Sequence, residues 1–100
     1  MFFPRYITRQ IAWSRKTFGP GKRTEGILKH IEKEIQEVRE EPDKPDEWLD
    51  IVILALDGAW RTGASVIDII DYLVRKQEIN FSRKFPYPES EDHPSEHIEE

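Results

Sequence analysis

Apolar positions recur at helical spacing in three stretches of this chain, and the residues between them are those that stop helices. The first stretch carries Ile27, Leu28, Ile31, Ile35 and Val38 on one stripe, with Thr24 placed to cap it and Glu41-Pro42 to end it. This predicts a helix over about residues 24–41. The second begins after Asp43-Lys44-Pro45, with Pro45 suited to the first turn and Asp46 and Glu47 at the positive helix end, and closes at Thr62-Gly63. The third opens on Ser65 and Asp68, three apart as in a capping box, and carries Val66, Ile69, Ile70, Leu73, Val74 and Phe81 as its stripe to about Arg83. Pro86 and Pro88 end it. Ahead of these, residues 1–23 mix aromatic and basic side chains and are broken by Gly19-Pro20-Gly21, which reads as a short or irregular arm and a loop.

The second helix has the most informative pattern. With 3.6 residues per turn, Glu47, Asp50, Leu54, Asp57 and Arg61 share about 80° of its surface, while Trp48, Ile51, Val52, Ile53, Ala55, Leu56, Ala59 and Trp60 sweep about 220° of the rest. An apolar arc that wide predicts burial on most sides, and two neighbouring helices cannot cover it. The expected fold class is therefore all-α: a small helical bundle of three main helices plus an N-terminal arm, completed by oligomerisation as a dimer or tetramer. The expected division is a basic arm and loop over 1–23, a helical catalytic core over 24–85, and an acidic, Pro-containing tail over 86–100 that is too polar to pack alone.

At 100 residues, with 37% apolar and 35% charged residues, the chain makes one domain at most. No apolar run approaches the ~18 residues that span a bilayer, and no uninterrupted apolar core marks a secretory signal, so the expected location is cytoplasmic. With no cysteine, disulfides, thiolate catalysis and Cys-ligated zinc are excluded. The net charge of -5 argues against binding duplex nucleic acid. That charge is uneven: Arg5, Arg9, Arg15, Lys16, Lys22 and Arg23 stand in a stretch without acids, and from Pro88 onward the only ionisable side chains are acids and histidines.

The candidate chemistry lies where the first two helices face each other. His30, Glu34, Glu37 and Glu41 fall within about 60° on the edge of the first helix's apolar stripe. Glu34-x-x-Glu37, nine residues and then Glu47-x-x-Asp50 would converge four carboxylates across an antiparallel hairpin. Such a group repels itself strongly unless a divalent cation sits within it. Oxygen ligands favour Mg²⁺ or Mn²⁺ over zinc, and carboxylate-held Mg²⁺ usually completes its shell with water and substrate phosphate. On the third helix Lys76, Asn80 and Arg83 share about 60° of arc, placed as a phosphate clamp or as ordinary cations lying along the bundle surface.

Thr17-Phe18-Gly19-Pro20-Gly21-Lys22-Arg23-Thr24-Glu25-Gly26, His30-Ile31-Glu32-Lys33-Glu34-Ile35-Gln36-Glu37, Glu47-Trp48-Leu49-Asp50 and Leu54-Ala55-Leu56-Asp57-Gly58-Ala59-Trp60-Arg61 together resemble the phage and bacterial dATP/dGTP pyrophosphohydrolases. These are MazG-like, all-α nucleoside triphosphate pyrophosphohydrolases, and they include the MazZ proteins of phages that replace adenine with 2-aminoadenine. The resemblance covers about residues 13–86. It implies Mg²⁺- or Mn²⁺-dependent cleavage of a purine deoxynucleoside triphosphate to the monophosphate and pyrophosphate, adjusting a nucleotide pool, in the host cytoplasm if the chain is phage-encoded. The family's metal motif falls on Glu34, Glu37, Glu47 and Asp50, and its phosphate contacts fall on Lys76, Asn80 and Arg83. Many MazG relatives carry a further acid just before the first motif; Lys33 stands there in this chain, which leaves the number of metals and the identity of the base open.

Glu37 or Glu47 is expected to take the proton of the attacking water. Trp13 and Phe18 have two readings, stacking on the purine with the basic arm and Arg23 folded over the site, or anchoring the core. Asp57 and Arg61 are candidates for substrate contact, with an intrahelical pair as the simpler reading. His30 is a ligand, a substrate contact or a satisfied edge residue. His93 and His97, four apart in the acidic tail, are expected to be solvent-exposed. The alternatives in function are a helical interaction module without chemistry and the same scaffold acting on a pyrimidine nucleotide.

Overall fold

The computed structural model describes residues 2–85 and contains four helices in the order α1 (Phe3–Phe18), α2 (Thr24–Glu40), α3 (Pro45–Trp60) and α4 (Val66–Ser82). The three helices expected from the stripes are all present and shift by a residue or two at their ends. Among the described residues no helix is long and apolar enough to cross a membrane. Pro86, Pro88, His93, His97 and the acidic tail lie outside the described residues.

The arm is itself helical. Pro4 sits in the first turn of α1, where a missing N–H costs nothing, and no helix breaker follows until Gly19. Ile7 and Ser14 are buried and Gln10 and Ile11 partly so, one face at helical spacing that the mixed aromatic and basic composition obscures. Thr24 does not cap α2. Arg23 holds the capping position without a side-chain bond, because its carbonyl already accepts from the Ile27 N–H at 2.9 Å and the helical ladder starts one residue earlier than expected.

The chain divides into two compact units, the first ending at Ile69 and the second beginning at Ile70. In the first, α3 packs on α2 and on α1. The α2–α3 connection is fixed locally: Trp48 Nε1 donates to the Pro42 carbonyl at 2.9 Å, and Lys44 Nζ pairs with Glu41 at 2.8 Å. That short turn sets the register in which the end of α2 faces the start of α3.

The apolar core is thin. Ile7, Ile27, Val38, Trp60 and Ile69 are its buried hydrophobic residues. On α3, whose apolar arc is wider than its neighbours can cover, Trp48, Leu49, Val52 and Ile53 are exposed, as are Leu28 and Ile35 on α2. A single chain supplies too few neighbours to cover these faces. In the stripe expected on α4 only Ile69 is buried, and Leu73, Val74 and Phe81 are exposed. The Ser65–Asp68 capping box forms as expected: Ser65 N–H donates to Asp68 Oδ2 at 3.0 Å and Asp68 N–H to Ser65 Oγ at 3.1 Å. Hydrogen bonding from the Ser65 backbone and side chain to the Asp68 carboxyl holds it below its ordinary range.

Candidate metal centre

The α2–α3 hairpin brings Glu34, Glu37, Glu47 and Asp50 together, each offering a carboxylate oxygen within 4.8 Å of the others. Spacing explains the set. Three residues along a helix keep side chains on one face, so each helix presents a pair, and the short turn sets the two pairs opposite each other.

Protein donors do not neutralise this group. Glu34 is buried, Glu37 and Glu47 partly so, and Asp50 exposed. Glu34 Oε2 and Glu47 Oε2 are both shut off from solvent without a hydrogen-bond donor. His30 Nε2 lies 3.3 Å from Glu34 Oε1. The Glu34 carboxyl is held above its ordinary range first by a hydrogen bond shared with Glu37, which only a protonated partner can donate. Burial and the charges of Glu37 and Asp50 add to this, and His30 opposes it. Glu47 is raised mainly by burial, with Glu37, Asp46 and Asp50 adding to it. Buried carboxylate oxygens without donors, gathered in one place, fit a divalent cation.

The cluster opens into a cleft of about 370 Å³ lined by Glu34 and Asp50 at one part and by Gln10, Trp13, Phe18, Arg23, His30 and Asp57 elsewhere. Trp13 and Phe18 meet edge to face with ring centroids 5.6 Å apart, and the Arg23 guanidinium lies 4.5 Å from the Phe18 centroid. Trp13 is 58% exposed and Phe18 48%, so neither anchors the core. They form an open aromatic wall.

Asp57 and Arg61 are paired at 3.3 Å, but the pair is the hub of a larger buried network. Asp57 Oδ1 accepts from Ser14 Oγ at 2.5 Å, Trp60 Nε1 at 2.7 Å and Arg61 Nε. Arg61 Nη2 donates to Ser14 Oγ at 3.0 Å, and Nη1 donates to the Gly19 and Gly21 carbonyls, both at 2.8 Å. Gly19 and Gly21 have φ of 86° and 99°, a backbone open to glycine that turns their carbonyls toward the guanidinium. Arg61 is 6% exposed and faces inward. This replaces the expected substrate contact with a tie between α3, α1 and the Gly-Pro-Gly loop. Its effect on the cleft is indirect, since the tied loop lies between Phe18 and Arg23.

Lys76 and Asn80 are exposed on α4 and Arg83 is exposed just after it, in the unit that begins at Ile70. Ser14 and Gln10 are absent from the sequence reading. The spacing of Ile7, Gln10, Ile11 and Ser14, at i, i+3, i+4 and i+7, would have shown them on one face had residues 3–18 been read as a helix.

A model of the family described as dATP/dGTP pyrophosphohydrolase matches residues 6–100. No curated protein and no solved structure matches the chain.

Proposed function

The chain belongs to the dATP/dGTP pyrophosphohydrolase family, and from that premise we propose that it hydrolyses purine deoxynucleoside triphosphates between the α- and β-phosphates, using a divalent cation held by Glu34, Glu37, Glu47 and Asp50. The family is one of nucleoside triphosphate diphosphatases, so the chain is an enzyme. The observation that carries the metal assignment is the cluster of four carboxylates with two buried, donorless oxygens. Mg²⁺ or Mn²⁺ suits an all-oxygen donor set.

When bound, the cation offsets negative charge on the triphosphate and acidifies the attacking water. The protein's own groups do the rest. Glu37 or Glu47 receives the proton from the water that attacks phosphorus in line. Trp13 and Phe18 stack on the purine, with Arg23 and His30 as further substrate contacts of the same cleft. Lys76, Asn80 and Arg83 supply phosphate contacts, a role resting on the family resemblance and on their charge and exposure. Arg61 positions the aromatic wall by holding the loop carbonyls.

Self-association, as a dimer or tetramer, belongs to the same proposal. It is supported by the exposed Leu28, Ile35, Trp48, Leu49, Val52 and Ile53, apolar side chains that a second copy would cover. Light scattering at micromolar concentration is expected to give a species larger than one chain.

The deciding experiment incubates the protein with a panel of deoxy- and ribonucleoside triphosphates and Mg²⁺ and resolves the products by chromatography. Deoxyadenosine or deoxyguanosine monophosphate with pyrophosphate is expected, and chelation should abolish it. Turnover restricted to pyrimidines would overturn the base assignment, and release of orthophosphate would overturn the cleavage position.

A further inference from the structure

Among the described residues three buried side-chain oxygens lack a hydrogen-bond donor. Two are Glu34 Oε2 and Glu47 Oε2, which the cation accounts for. The third is Gln10 Oε1. An acceptor shut away from water without a donor is costly, and a carboxamide that costs stability in the free protein is expected to be satisfied when something else arrives.

The placement of Gln10 says what that partner is. The residue lies on α1 one turn before Trp13 and lines the same cleft as Trp13, Phe18, Glu34 and Asp50. Its Nε2 donates to the Ile53 carbonyl on α3 at 2.8 Å. That bond uses one of the amide's two N–H groups against the α3 backbone and fixes which end is the oxygen, so the buried atom that Gln10 leaves without a partner is an acceptor. In a cleft with an acid cluster at one part and an aromatic wall at another, a nucleotide whose phosphates meet the acids through the cation puts its base against the wall. The donors on the edge of such a base are its ring N–H and exocyclic amino groups.

We propose that Gln10 is a specificity-determining residue of this cleft, its Oε1 accepting a hydrogen bond from the exocyclic amino group of the purine. This rests on the pyrophosphohydrolase reading and deepens it. The 6-amino group of adenine and the 2-amino group of guanine share the required chemistry. Both are N–H donors on an edge that a stacked purine leaves free. A purine that lacks the amino group offers Gln10 Oε1 no donor at that position and loses the gain that group brings.

The test compares kcat/KM for four substrates with wild type and with Gln10→Met, which keeps length and removes the acceptor. The substrates are dATP, the unsubstituted purine deoxynucleoside triphosphate, dGTP and dITP. The first pair isolates the 6-amino group and the second the 2-amino group. Wild type is expected to prefer at least one amino-bearing member over its partner by about tenfold to a hundredfold, the worth of satisfying one buried acceptor. In Gln10→Met that ratio is expected to fall toward unity through loss on the amino-bearing substrate alone. The wild-type ratios need no variant, so a poorly folded Gln10→Met would not shield the claim. A wild type indifferent to the amino group, or a Gln10→Met that slows all four substrates by one factor, would overturn the role of Gln10 and leave the pyrophosphohydrolase reading standing. A wild type that turns over none of the four would overturn both.

Discussion

Helix α3 carries two acid-bearing sites about two turns apart, Asp50 and Asp57 being seven residues from each other, and they are built in opposite ways. At Asp57 a buried carboxylate is met by three donors at one oxygen: Ser14, Trp60 and Arg61 all donate to Oδ1, and Arg61 in turn spends its remaining nitrogens on Ser14 and on the Gly19 and Gly21 carbonyls. At Glu47 and Asp50, facing Glu34 and Glu37, the protein supplies one histidine and otherwise leaves the carboxylates to one another. The first arrangement ties α3 to α1 and the glycine loop. The second leaves buried carboxylate oxygens without donors and could hold a cation. The contrast teaches that acids on one face of one helix divide by their partners: an answered carboxylate is structural, and a bare cluster awaits a ligand.

The largest way to break this contrast is at Arg61. Arg61→Met strands the buried Asp57 carboxylate and releases the loop, a loss of about 3–5 kcal/mol by analogy with other broken buried pairs. A chain of this size has ~5–15 kcal/mol in all, so urea denaturation should show a marginal fold, and a midpoint within error of wild type would mean the network carries no weight. Asp50→Asn is the counterpart at the bare site. It should leave the fold intact and lower pyrophosphate release by about 10²–10³, or about 3–4 kcal/mol of barrier, as measured at saturating Mg²⁺. Retained turnover would remove Asp50 from the metal set.

Smaller and of opposite sign, Glu34→Gln removes a buried charge from among its like and replaces it with an amide that can donate to Glu37. Without added metal its melting temperature should rise by about 4–8 °C, the shift ~1 kcal/mol brings in a small domain; a fall would show that Glu34 is stabilising as it stands. The smallest effect is with pH. Glu34 and Glu47 bind protons more tightly in the folded chain than in the unfolded one. The native state therefore holds more protons, and their contribution to metal-free stability declines as pH rises from the ordinary glutamate range through the raised values. The lowered Asp68 acts in the other direction, but only below the ordinary aspartate range. With Mg²⁺ the sense should reverse, because cation and proton compete for the same oxygens. A metal-free melting temperature that climbs across that window would contradict the assignment of these two groups.

Much of this was legible in the sequence because it follows from period and punctuation. The stripe of Ile27, Ile31 and Val38, the Pro45 start and the Ser65–Asp68 box gave three helices nearly to the residue, and E-x-x-E facing E-x-x-D gave the acid cluster. What escaped had no periodic apolar signal. Helix α1 buries a serine where a larger apolar residue would have announced the face, and its aromatic residues point outward. The network around Arg61 depends on carbonyls of a glycine loop, and backbone atoms leave no trace in a pattern of side chains. The apolar arc of α3 is wider than one chain covers, and a lone sequence does not say which of its residues stay bare.

The most direct test of the central claim is a titration of Mn²⁺ into the protein, following the free ion by electron paramagnetic resonance, for wild type, Asp50→Asn and Arg23→Gln. Saturable binding is expected in wild type and in Arg23→Gln, whose side chain lies on the aromatic wall, and should be lost or strongly weakened in Asp50→Asn. Equal binding in wild type and Asp50→Asn, or none in either, would contradict the assignment of the four facing carboxylates as a metal centre.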